Sequence, residues 1–119
     1  MFLPLLYTFF FSILGTVKGN VAVSSDAATY DIGNLAALTG TFTNQQGAQA
    51  DPSSVVMRYK KPNGTILTAT PTKSSAGIYS YLLALDIAGT YYFRFEGTGA
   101  LVAAGDGSLI VTDSPTLTY

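Results

Sequence analysis

The chain has 119 residues, 48% of them hydrophobic and 13% aromatic, with six basic and seven acidic side chains giving a net charge of −1. That is enough apolar content for one well-buried core and too little length for two domains. The sequence holds neither cysteine nor histidine. This excludes a disulfide frame, thiolate chemistry and imidazole-based catalysis or metal binding. The basic residues are scattered, the only cluster being Arg58, Lys60 and Lys61, so nucleic acid is excluded as a partner for want of a concentrated positive face.

Residues 1–17 read MFLPLLYTFFFSILGTV and carry no charge until Lys18. As a helix they would span roughly 25 Å, slightly short of the ~30 Å hydrocarbon core of a bilayer. Three readings stand side by side. The segment is a membrane anchor or uncleaved signal, an apolar arm that buries itself in a neighbouring subunit, or a cleaved signal lacking the usual positive flank. Pro4, the Phe9-Phe10-Phe11 run and the lack of a polar face set it apart from an ordinary core helix. The side chains expected to anchor or assemble the chain are Phe2, Leu3, Leu5, Leu6, Phe9, Phe10, Phe11, Ile13 and Leu14. The expected division is an apolar segment over 1–19, a linker with room for a first strand over 20–29, a domain over 30–113 and a polar tail over 114–119.

From residue 30 onward the pattern is one of short strands. Tyr30-Asp31-Ile32-Gly33-Asn34 turns into residues 35–43, where Leu38 and Phe42 share a face and Gly40 leaves a gap between them. Val55, Met57 and Tyr59 alternate with Arg58 and Lys60, giving a strand with one wet face. Pro62-Asn63-Gly64 is a strong hairpin signal, because Asn-Gly supplies the positive φ of a tight two-residue turn. Thr65 to Thr70 returns as a Thr-rich strand, and Ser74-Ser75-Ala76-Gly77 reads as a loop. Tyr79, Tyr81, Leu83 and Leu85 then line one side of the next strand.

The clearest alternation lies in residues 91–96. Tyr91, Phe93 and Phe95 face one way, and Tyr92, Arg94 and Glu96 the other. Gly97-Thr98-Gly99 turns the chain, and Gly105-Asp106-Gly107 reads as a bulge or bend between residues 100–104 and 108–112. Turn signals recur about every ten residues, the pattern of an all-β protein: a single immunoglobulin-like antiparallel β-sandwich of about seven strands, preceded by an apolar, helical N-terminal segment.

Asp86-x-x-Gly89-x-Tyr91 at a strand entrance marks a structural corner. A tyrosine there buries its ring and returns its hydroxyl to backbone nearby, which stabilises a fold and binds nothing. Asp106 has no acidic neighbour to help it hold calcium, and Asp26, Asp31 and Asp51 are widely spaced, so no metal or other cofactor is expected. Asn63-Gly64-Thr65 matches a glycosylation acceptor, relevant only in a eukaryotic secretory setting. Gly97-Thr98-Gly99 lacks the lysine and helix of a phosphate cradle, and no serine has a histidine to activate it. The inventory is that of a non-enzyme.

Read in order, these motifs resemble a family of small proteins encoded by tailed phages and prophages. The shared pattern is Tyr-x-x-Gly, a Thr-rich strand with Phe-Thr, Asp-Pro-x-x-Val, Pro-x-Gly-Thr, Gly-x-Tyr, Asp-x-x-Gly-Thr-Tyr and an aromatic-Glu-Gly-Thr-Gly stretch, over about residues 30–112. Tyr30, Asp51, Pro52, Gly64, Asp86, Gly89, Tyr91 and Gly97 are the matching positions. The resemblance implies an immunoglobulin-like virion accessory on capsid, neck or tail, without catalysis, whose partners are other virion subunits. The hydrophobic start departs from the family pattern. It points to self-assembly or to membrane contact through residues 1–17, and it keeps open a cell-surface or extracellular module and a filament subunit.

Overall fold

The computed structural model describes residues 17–113. They form ten strands: β1 Val17–Lys18, β2 Asn20–Ser25, β3 Thr29–Asp31, β4 Leu35–Thr43, β5 Ser54–Lys60, β6 Ile66–Ala69, β7 Thr72–Ser75, β8 Ile78–Ala84, β9 Gly89–Thr98 and β10 Leu101–Thr112. Two sheets face each other. The larger runs β1-β10-β9-β5-β6, with β3 also paired to β10, and the smaller runs β2-β4-β8-β7.

The period of two decides which side of each strand is dry. In β4, Ala36, Leu38 and Phe42 are buried, and in β9, Tyr91, Phe93 and Phe95 are buried while Tyr92 is exposed. Burying one large side chain of this kind contributes about 1.5–3 kcal/mol, so the facing rows of β4 and β9 supply a substantial part of the core. The gap at Gly40 is filled from across the sandwich, since a Cβ there would lie 2.8 Å from the Phe95 ring. Gly40→Val would therefore drive a side chain into an aromatic ring that has nowhere to go.

Several elements differ from the sequence expectation. Residues 17–19 belong to the sandwich and not to the apolar segment. β1 pairs in parallel with β10 through Val17 opposite Leu101, and the Gly19 amide donates to the Val102 carbonyl at 2.9 Å. The stretch expected as a linker holds β2, which pairs with β4, and then β3, which pairs in parallel with β10. The sandwich is thus antiparallel except at these two short edge pairs. β2 carries its apolar residues only at Val21 and Val23, too sparse a signal to fix a strand.

Residues 105–107 make no bend. β10 pairs without interruption from Ala103 opposite Gly97 to Val111 opposite Gly89, so two expected strands are one. Gly105 and Gly107 face inward and are holes: a Cβ would meet the Val21 carbonyl oxygen at 2.9 Å or the Phe93 ring at 2.5 Å. Residues 72–75, expected to end in a loop, form β7, all four exposed and held by pairing with β8. The hairpin between β5 and β6 has a three-residue loop rather than two. Lys61 and Thr65 pair across it, the Gly64 amide donates to the Lys61 carbonyl, and the positive φ falls on Gly64 alone. Pro62 favours the first turn position and Gly64 takes the left-handed one.

The apolar anchor side chains Phe2, Leu3, Leu5, Leu6, Phe9, Phe10, Phe11, Ile13 and Leu14, the helix expected of them, and the polar tail over 114–119 lie outside the described residues.

Candidate functional site

The corner residues Asp86, Gly89 and Tyr91 come together where β9 begins. The Tyr91 hydroxyl donates to the Asp86 carboxylate at 3.0 Å and accepts from the Asp86 and Ile87 amides, each at 3.2 Å. Gly89 has a φ of 129° and sits so close to Pro62 that a Cβ would approach within 2.7 Å. Lys61, 3.1 Å away, and then Tyr91 hold the Asp86 carboxyl below the ordinary carboxylate value, while burial pushes the Tyr91 hydroxyl up.

Two further tyrosine–aspartate pairs repeat this device. Tyr30 donates to Asp26, whose carboxylate also accepts from the Ala37 amide. Tyr79 donates to Asp51 at 3.1 Å, and Asp51 also accepts from the Gly77 amide and from Lys73 at 2.8 Å. Hydrogen bonding lowers both carboxyls: for Asp26 the Tyr30 hydroxyl acts most, for Asp51 the Lys73 ammonium. Each pair ties the wet end of a buried tyrosine to a neighbouring loop or strand, so no polar side-chain atom is left buried without a partner among the described residues. Asp26, Asp31 and Asp51 do not converge, and no cluster of metal-ligating side chains occurs among the described residues. Asp106 pairs with Arg94.

The chemically richest surface is the outer face of the larger sheet. Register sets Ile66, Lys60, Tyr92 and Ser108 in one row across β6, β5, β9 and β10, and Thr68, Arg58, Arg94 and Asp106 in the next. A groove of about 290 Å³ runs over these rows, lined by Arg58, Lys60, Ile66, Tyr92, Arg94 and Asp106, with Tyr59 and Phe93 in its floor. Arg94 is held from both sides, its Nε 2.8 Å from Glu96 and its Nη1 3.0 Å from Asp106. Arg58 reaches Glu96 through Nε alone at 3.1 Å. These partners pull the Glu96 carboxyl below its ordinary value, Arg94 acting most. The alternation of Arg58 with Lys60 and of Tyr92 with Arg94 was visible in the sequence. What brings the two strands side by side, the β5–β9 register, was not.

No family model matches the chain, and no curated protein matches it. Solved structures do match its fold. The Lin-41 filamin domain superposes with a TM-score of 0.61 at 15% identity, covering 77% of this chain and 91% of that one. A polysaccharide lyase matches with a TM-score of 0.60 at 16% identity, over 82% of this chain and 13% of that one. A tetra-tandem repeat from the extending region of a large adhesion protein matches with a TM-score of 0.50 at 25% identity, over 76% of this chain and 24% of that one. The chain thus spans nearly the whole filamin domain but only 13% of the lyase and about a quarter of the tandem-repeat chain. The fold is an immunoglobulin-like β-sandwich, shared with filamin and adhesion-repeat domains. The phage resemblance over residues 30–112 rests on its motifs alone. Among the described residues no helix is long and apolar enough to cross a membrane.

Proposed function

We propose that this chain is a non-enzymatic structural or adhesive module of a larger assembly, attached through its apolar N-terminal residues and displaying the sandwich outward. The observation that carries this reading is where the chain enters and leaves. Val17 pairs with Leu101 at the start of β10, whereas the described chain runs out beyond Thr112 at its end. Eleven steps of about 3.3 Å separate those points, so entry and exit lie about 36 Å apart at opposite poles. An in-line module of this kind suits attachment at one pole and presentation at the other. The order of phage-like motifs favours a virion as the assembly, with other virion subunits as partners and no nucleic acid contact.

A second reading, a cell-surface or extracellular module or filament subunit with membrane contact through residues 1–17, is favoured by the adhesion-repeat likeness at 25% identity. Deleting residues 1–16, which spares β1, tests both. The truncated protein should stay folded and soluble while no longer sedimenting with its assembly. Fractionation of the native source separates the readings: co-purification with particles supports the virion, and recovery with cell envelopes or fibres supports the second. A truncation that unfolds would refute the two-part design.

A further inference from the structure

We propose that the groove around Tyr92 on the outer face of the larger sheet binds an acidic sugar residue of a polysaccharide. This inference is independent of how the module is attached, because it concerns binding in solution by the sandwich itself.

The groove is ring-sized, with a mostly apolar exposed wall and charged residues among those that line it. Its volume of about 290 Å³ lies at the lower end of small-ligand pockets, enough for one sugar ring and part of the next. Ile66 and Tyr92 are two strand spacings apart in the same row, about 9–10 Å, with Lys60 between them. Both are open to solvent, Ile66 at 64% and Tyr92 at 56%. Two apolar side chains thus stand on either side of a cation in the same row. A tyrosine ring standing on a central strand offers its face to the C–H side of a pyranose, while its hydroxyl and the oxygens of Asp106 and Ser108 can pair with sugar hydroxyls.

Charge selects among ligands. Around the groove three cations, Arg58, Lys60 and Arg94, stand with two carboxylates, Glu96 and Asp106, which leaves one positive charge there. Arg94 is already occupied on both sides. Lys60 makes no ion pair among the described residues, and Arg58 spends only its Nε on Glu96, leaving its Nη groups without a carboxylate. Those two unspent donors are two residues apart on β5, one strand repeat, and together they can seat a single carboxylate. Five of the thirteen charged residues of the chain stand around this groove.

Other occupants fit less well. A phosphodiester chain would meet Asp106 and Glu96 and gain only one net counter-charge. A peptide adding as an extra strand would pair at the open edge of β6 rather than lie in the groove, because β5 and β9 are paired on both sides. What remains is a ligand read by side chains on a flat face, with a ring to stack and a carboxylate to pair.

The test titrates the full-length chain with a galacturonate trisaccharide, with the neutral galactose trisaccharide of the same linkage, and with a hexaglutamate peptide, using calorimetry and amide chemical shifts. The acidic sugar should bind at least about tenfold more tightly than the neutral one, a difference of about 1.4 kcal/mol. Shifts should centre on Arg58, Lys60, Tyr92 and Arg94. Tyr92→Ala should weaken both sugars by about tenfold or more, and Lys60→Gln should bring the acidic sugar down to the level of the neutral one. Both positions are exposed, and circular dichroism checks that each variant is folded. Equal affinity for both sugars, hexaglutamate binding as tight as the uronate, unaltered binding by Tyr92→Ala, or no saturable uronate binding would each overturn the proposal. A chain that joins its assembly yet ignores the uronate would leave the attachment reading standing and this one refuted.

Discussion

The outer faces of the two sheets are built on opposite plans, whereas their inner faces fit each other. On the small sheet, β4 turns out Leu35, Ala37, Thr39, Thr41 and Thr43, β8 turns out Ile78, Ser80, Leu82 and Ala84, and β2 turns out Asn20, Ala22 and Ser24, none of them charged. On the large sheet, Arg58, Lys60, Arg94, Glu96 and Asp106 stand around an exposed tyrosine. Inside, the aromatic row of β9 meets Ala36, Leu38, Phe42 and the Gly40 gap of β4. Packing constrains the inner rows tightly, because a close-packed interior resists changes of a single methylene. It places no such demand on the outer rows, so their divergence is not something the fold requires.

The sharpest way to break that contrast is to attack the inner rows. Phe95→Ala should cost about 3–5 kcal/mol and leave a cavity over Gly40, and Gly40→Val should cost about 1–3 kcal/mol or more by overpacking. At about 4–8 °C per kcal/mol for a domain of this size, both losses should be plain in thermal unfolding. Combining Gly40→Ala with Phe95→Leu should cost less than the sum of the two, since the substitutions share one contact. Strict additivity would mean that the two sheets do not interlock there.

The tyrosine–aspartate pairs come next. Tyr91→Phe removes the acceptor for two backbone amides and should cost about 1–2 kcal/mol in denaturant titration. The same pairs predict a pH profile. Asp26, Asp51 and Asp86 have folded values below the ordinary carboxylate value, so their stabilisation is complete above that value and drains away as pH falls through the lowered ones. Tyr30, Tyr79 and Tyr91 are raised above the ordinary phenol value, chiefly by burial, so their contribution holds below it and is lost as pH rises through the raised values. The guanidinium midpoint should therefore be flat near neutrality and decline at both extremes. A midpoint that stays constant down to pH 2 would remove the pairs from the account of stability.

The smallest effect belongs to the outer face. Arg94→Gln should cost less than about 1 kcal/mol, and added salt should shrink it further, because its partners are solvent-screened. A loss as large as that of Tyr91→Phe would make the outer network structural and erase the distinction between the faces.

Much of the fold was legible because alternation survives wherever apolar and polar side chains take turns, as in residues 35–43 and 91–96. The chain hid what alternation cannot encode. β7 has no buried side chain to mark it, and β1 is two residues long. Glycines inside β10 look like punctuation in sequence but act as recesses for Val21 and Phe93. The Asp86–Tyr91 spacing is short enough to be read directly, while Asp51 and Tyr79 lie 28 residues apart and meet only once the segment before β5 folds against β8. The groove demanded the register of β5 against β9, which no local pattern specifies.

The parallel edge pair of β1 and β10 has a mechanical consequence. Tension applied between Val17 and Thr112 pulls β1 and β10 in opposite directions along their length, so the bonds joining them would be sheared together rather than unzipped singly. A stalk or fibre under load would meet a shear clamp at the very point where the described chain enters the sandwich.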